Sequence, residues 1–324
     1  MRFLLRRLLL FAVALLALSL LVFAALRILP GDVASIMAGI NSPPERVTAL
    51  RSQLGLDRPL PQQYASWMGG LLRGDFGVSM LTGRSISSQV ASRAALTFPL
   101  IGLGLAVALC IGIPLGCYSL LARSPRARAL CQVVAIVGGS IPALWGGLLL
   151  IVLFGRGSGL LPILPSQGFP EAGWRSGAQA FQSLILPALT LGIIVGAGLM
   201  RYTRAALSEL ASSGWIDMAM ACGMTRSQAL IRVGLRLAMP QLVSVVGLTF
   251  AEMITGAMVV ENLFALPGLG SGLVTDLGNR DLIAVQSELF MLAAFFLAVG
   301  LVVDLLHRAL DPRLKAANSI GEGV

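Results

Sequence analysis

The 324-residue chain is 56% hydrophobic and 12% charged, about half the roughly 25% charge of an ordinary soluble domain, which excludes a conventional water-soluble enzyme. Its one lysine, Lys315, is followed by Ala316, so the Gly-Lys-Ser/Thr of a phosphate-binding loop is absent. Its one histidine, His307, excludes two-histidine metal motifs and leaves a single base for any Ser-His or Cys-His chemistry.

The first uncharged run, Leu8 to Leu26, follows Arg2, Arg6 and Arg7. A secretory h-region is about 7–15 residues long; this run exceeds that and no Ala-x-Ala site follows, so it reads as an uncleaved first span. The segment from Arg27 to Arg93 carries Pro43-Pro44, Pro59-Leu60-Pro61 and Gly74-Asp75-Phe76-Gly77, turn signals between short amphipathic helices. It is expected to form an external subdomain, taken as residues 29–93. Further runs at Ala94–Ala122, Ala129–Gly155 and Ser176–Met200 are long enough to cross a bilayer. Gly112 with Gly116, and Gly192 with Gly196, are small-xxx-small pairs suited to close helix packing. The four cysteines, Cys110, Cys117, Cys131 and Cys222, fall in or beside apolar runs and read as small buried hydrophobes, with no disulfide framework.

Between Arg201 and Arg236 the pattern is helix, tight turn, helix: Gly223 ends one short segment, and Thr225 with Gln228 forms a capping box for the next. Two more spans follow, Leu237–Val260 and Glu288–Leu306, containing or bordering Glu252, Glu288 and Asp304. Gly268-Leu269-Gly270-Ser271-Gly272 resembles a phosphate cradle but has no buried strand before it, and reads as a turn or interfacial loop. His307 lies three residues after Asp304 near the last helix end, where a positive group suits the dipole.

Six spans put both termini on one side. Arg2, Arg6 and Arg7, then Arg123, Arg126 and Arg128, then Arg201, Arg204, Arg226, Arg232 and Arg236, and finally Arg308, Arg313 and Lys315 mark that side as cytoplasmic; Arg156, Arg175 and Arg280 mark the other. The +9 net charge is therefore topological, and the dispersed arginines do not form a nucleic-acid footprint.

Trp215-Ile216-Asp217-Met218-Ala219-Met220-Ala221-Cys222-Gly223 resembles the EAA loop of ABC importer permeases. Asp217, Ala219 and Gly223 fit its acid, alanine and glycine; Met218 stands at an alanine position. Gly55-Leu56-Asp57-Arg58-Pro59-Leu60, Gly70-Leu71-Leu72-Arg73-Gly74-Asp75-Phe76-Gly77 and Leu29-Pro30-Gly31-Asp32 resemble the oligopeptide, dipeptide and nickel permeases, in their first-permease branch. So do Ser140-Ile141-Pro142-Ala143-Leu144-Trp145, Leu186-Pro187-Ala188-Leu189, Glu261-Asn262-Leu263-Phe264, Pro267-Gly268-Leu269-Gly270, Asn279-Arg280-Asp281 and Leu310-Asp311-Pro312-Arg313, in order over nearly the whole chain.

The resemblance implies an all-α integral membrane protein of the inner membrane, with six transmembrane helices, a type I importer core and an external subdomain between the first two. The segments are then 1–28, 29–93, a core 94–308 containing the coupling loop 201–237, and a cytoplasmic tail 309–324. It implies a non-catalytic permease for peptides or nickel chelates, without cofactor or bound metal. Its expected partners are a second homologous permease, two ABC ATPase subunits, an extracytoplasmic solute-binding protein and the lipid bilayer.

A permease driven by a separate ATPase needs a short cytoplasmic helix that moves as a rigid lever. Trp215 and Met218 would be apolar anchors and Asp217 a charge for the partner, while Ala219 and Gly223, four apart, are expected on one helix face. Lying on lipid headgroups is the bland alternative for this helix. Glu252, at membrane depth, is a translocation-path candidate, with a paired structural acid as its alternative; the surrounding Ala251-Glu252-Met253-Ile254 looks closer to nickel-type members. Glu288 and Asp304 are expected near span ends, within reach of water. Glu261, Asn262, Pro267, Gly268, Arg280 and Asp281 are candidates for an external gate or loop. The rival classes are a secondary transporter coupled to ions through Glu252, Glu288 or Asp304, and an intramembrane hydrolase with His307 as base.

Overall fold

A computed structural model describes residues 2–28, 34, 38, 42–53, 55–79, 82–157 and 159–310. The Leu29-Pro30-Gly31-Asp32 stretch, Asp311-Pro312-Arg313 and Lys315 lie outside the described residues. The helices are α1 (Arg2–Ile28), α2 (Pro44–Gln53), α3 (Leu60–Leu72), α4 (Ile86–Leu121), α5 (Pro125–Ser140), α6 (Ala143–Phe154), α7 (Gly177–Leu210), α8 (Gly214–Ala221) and α9 (Arg226–Ala229). A π turn over Leu230–Gly234 leads into α10 (Leu235–Leu263), and α11 (Leu269–Gly278) and α12 (Leu282–Leu310) follow. No β-strand forms among the described residues, where pairing is limited to isolated bridges.

Five helical stretches are long and apolar enough to cross a membrane: Leu4–Arg27, Ile86–Leu121, Gly173–Leu210, Arg226–Leu263 and Leu282–Ala309. The sixth expected span, Ala129–Gly155, is not one continuous helix: α5 and α6 are bent by 110° at the break between them. Pro142 has no N–H to continue α5 and biases the residue before it toward extended backbone; Ile141 adopts φ −76° and ψ 122°. Counted as one broken span, the pair brings the total to six.

The chain divides into two compact units, Met1–Thr97 with Pro267–Ala298, and Phe98–Leu266 with Val299–Val324. The first is therefore broader than the 29–93 segment. In it α3 packs along α1: the hydroxyls of Ser19 and Tyr64 are 2.7 Å apart, and the Trp67 ring stacks on Phe23 and meets Phe290 edge-on. Proline fits α3 because Pro61 falls in its first turn, where the N–H has no helical partner. The Gly268–Gly272 segment is a helix start instead of a loop: Ser271 Oγ pairs with Gly268 and the Leu269 N–H donates to Thr97 Oγ1 at 2.8 Å. Arg93 of α4 pairs with Asp276 of α11 at 2.6 Å and with Glu288 of α12. Glu288, expected within reach of water, is fully buried.

In the second unit the glycine pairs do what their spacing implies. A Cβ on Gly112 would lie 2.8 Å from the Gly196 carbonyl, and one on Gly192 2.5 Å from Val107 Cβ, so α4 and α7 meet backbone to backbone. His307 Nε2 lies 3.0 Å from Ser244 Oγ, tying α12 to α10.

Candidate functional site

The stretch between α7 and α9 is built from its ends inward. After α7, the Ser213 hydroxyl donates to the Leu210 carbonyl at 2.6 Å, and the Ile216 N–H donates to the Ser213 carbonyl, starting α8. Asp217, in the first turn of α8, complements the positive end of the helix dipole. At the other end Gly223 takes φ +92°, the Gly223 N–H donates to Met220 and the Met224 N–H donates to Ala219. This double bond pattern is a Schellman stop, which glycine satisfies without a Cβ clash. Thr225 then opens α9 with the expected capping box: its hydroxyl accepts from the Gln228 N–H at 3.3 Å and its own N–H donates to Gln228 Oε1 at 3.1 Å.

Ile216, Ala219, Ala229 and Leu230 form a buried apolar cluster, with Leu120, Leu121, Met224 and Val233 packed against it. The cluster fixes α8 on the ends of α4 and α9, at the start of the long helical stretch Arg226–Leu263. The opposite face is open: Trp215 is 58% and Met218 63% exposed, and Asp217 is exposed beside them. One expectation is corrected. Ala219 turns inward to this cluster, away from the open face. Gly223 lies past the end of α8 in a left-handed turn, so it does not share a helix face with Ala219.

The acids separate cleanly. Glu252 is exposed on α10 with no hydrogen-bond or ion-pair partner among the described residues. Glu288 is held by Arg93, and Asp304 is half-buried. Of the external candidates, Asn262, Pro267 and Arg280 are exposed, and Arg280 takes φ +57° between α11 and α12. Glu261, Gly268 and Asp281 are buried; Asp281 Oδ1 accepts the Ala284 N–H at the start of α12 and Oδ2 accepts from Ser79. Gly268 caps α11. Arg93 was not distinguishable in sequence, because its partners lie 183 and 195 residues away.

Residues 108–316 match the family described as binding-protein-dependent transport system inner membrane component, and residues 1–98 match the N-terminal family of the same membrane components. The chain is 34% identical over 297 residues to the glutathione transport system permease protein GsiC of Escherichia coli (strain K12), covering 92% of this chain and 93% of that protein. It is also 34% identical over 315 residues to GsiC of Salmonella typhimurium (strain LT2), covering 97% and 99%.

Proposed function

As the chain belongs to the binding-protein-dependent transport system inner membrane components, the non-catalytic permease subunits of ABC importers, we propose that it translocates short peptides and that α8 is the helix through which ATPase movement enters it. The observation that carries this reading is the two-faced build of α8. One face is locked into the bundle by Ile216 and Ala219, and the other presents Trp215, Met218 and Asp217 to a partner. An interfacial helix on lipid would not need rigid attachment to two span ends, whereas a lever does.

The assembly is one copy of this chain, one homologous permease, two ATPase subunits and a solute-binding protein that delivers the cargo from outside. Both termini and α8 are cytoplasmic, in line with the placement of the arginines, and segment 29–93 faces outward. The glutathione permeases among the relatives favour a small peptide over a nickel chelate. The exposed carboxylate of Glu252, at membrane depth on α10, supplies a charge for the amino group of such a peptide. Asn262, Pro267 and Arg280 are the exposed external-loop residues available to the binding protein.

The test is uptake by proteoliposomes holding the assembled importer with ATP inside, supplied with binding protein and labelled glutathione, a dipeptide or a nickel chelate. Uptake of the peptides above the chelate is expected. Uptake of the chelate alone overturns the substrate reading.

A further inference from the structure

A pocket of about 310 Å³ opens between α5 and α7 beside the end of α4. Arg201 and Arg204 line it from α7, three residues apart and thus on one helix face. No acidic side chain lines the pocket, and neither guanidinium has a carboxylate partner among the described residues. With its amide turned so that the oxygen faces α7, Gln132 of α5 accepts from both Nη atoms of Arg204, a neutral partner that orients the fork without cancelling its charge. Arg201 lies over Gly139, where a Cβ would come within 3.2 Å of Nη2. The remainder of the wall is largely apolar, with Ile136 and Met200. That surface continues along α5 through exposed Val133 and Val137.

We propose that this pocket holds the headgroup phosphate of an acidic phospholipid, with the acyl chains lying along Ile136, Val133 and Val137. Two guanidiniums without acids match a phosphate in charge and fork geometry, and basic pockets between spans are the setting in which acidic headgroups are held. The apolar wall distinguishes a lipid from a free anion, which would leave it unused. Arg201 and Arg204 lie about two helical turns before the end of α7 at Leu210, so a bound headgroup braces the final turns of the helix from which α8 hangs.

The experiment is native mass spectrometry of the purified full chain equilibrated with phosphatidylglycerol and phosphatidylcholine of identical acyl chains. Preferential retention of phosphatidylglycerol is expected, falling roughly fivefold for each arginine changed in Arg201→Gln and Arg204→Gln. Ser208→Trp, which fills the pocket from an exposed lining position and keeps both arginines, should lower retention too; it and the single Arg201→Gln carry the test if the double variant misfolds. Inorganic phosphate at equal concentration should not displace the lipid. Equal retention of the two lipids, selectivity unchanged in the variants, or displacement by inorganic phosphate overturns the proposal.

Discussion

Arg93 reaches Glu288 across 195 positions of sequence and pairs with it where Glu288 has no exposure to solvent. Asp276 shares the same guanidinium from α11. Removing the cation leaves a buried carboxylate uncompensated, which costs about 3–5 kcal/mol in comparable pairs. Arg93→Met should therefore lower the thermal midpoint of the purified protein markedly. Combining it with Glu288→Leu should recover at least half of the loss, because no buried charge is then stranded at that position.

The close approach of α4 and α7 gives a second expectation. Gly192→Leu would drive a side chain into Val107, already 2.5 Å from the position of a Cβ. Overpacking of this kind costs about 1–3 kcal/mol. Gly198→Leu, on the same helix with open space around the Cβ position, should be neutral to slightly stabilising through helix propensity, and comparative thermal melting of the two variants separates packing from helix propensity.

At the end of α10, Ala265 occupies the left-handed region at φ +51°, and the Leu266 N–H donates to the Glu261 carbonyl at 2.8 Å. This is the same helix stop used at Gly223, with alanine in the place that favours glycine. Ala265→Gly should stabilise the protein by about 1 kcal/mol. Gly223→Ala should destabilise it by a similar amount through the backbone alone, since no atom lies within 4 Å of the added Cβ. Chemical unfolding of both variants checks the opposite signs.

Glu252→Gln should leave melting temperature unchanged, because the carboxylate has no partner among the described residues to strand. Uptake of a peptide with a free amino group should fall severalfold relative to its N-acetylated form. Parallel uptake assays of the two peptides check this, and equal rates in both proteins would remove Glu252 from the path.

Local signals were legible wherever backbone chemistry dictates them. Thr225 with Gln228, Gly223 as a helix stop, and the glycine pairs of α4 and α7 follow from residue type at fixed spacing. The bend at Ile141-Pro142 was missed because the hydrophobic run continues through it: the proline was visible, but hydropathy does not register a missing N–H. Spacing alone puts Ala219 and Gly223 on one helix face, whereas the end of α8 before Gly223 and the apolar cluster of Ala219 with Ile216, Ala229 and Leu230 depend on how α8 folds back onto α9. Arg93 with Glu288, and Ser79 with Asp281, join residues about two hundred positions apart, which no local pattern encodes. The same holds for the pocket of Arg201 and Arg204, whose other wall comes from α5.

On the proposed reading, α8 transmits ATPase movement through its exposed face. The direct measurement is binding-protein-dependent ATP hydrolysis and solute uptake, recorded together in proteoliposomes of the complete importer carrying Trp215→Ala with Met218→Ala. Both side chains are open to solvent in the isolated chain, so folding and membrane insertion should be unchanged, while uptake per ATP hydrolysed should fall at least tenfold. Leu72→Ala, which removes a still more exposed apolar side chain from α3, should behave as the unmodified protein. Normal uptake and normal stimulation of hydrolysis in the double variant would contradict a transmitting role for α8.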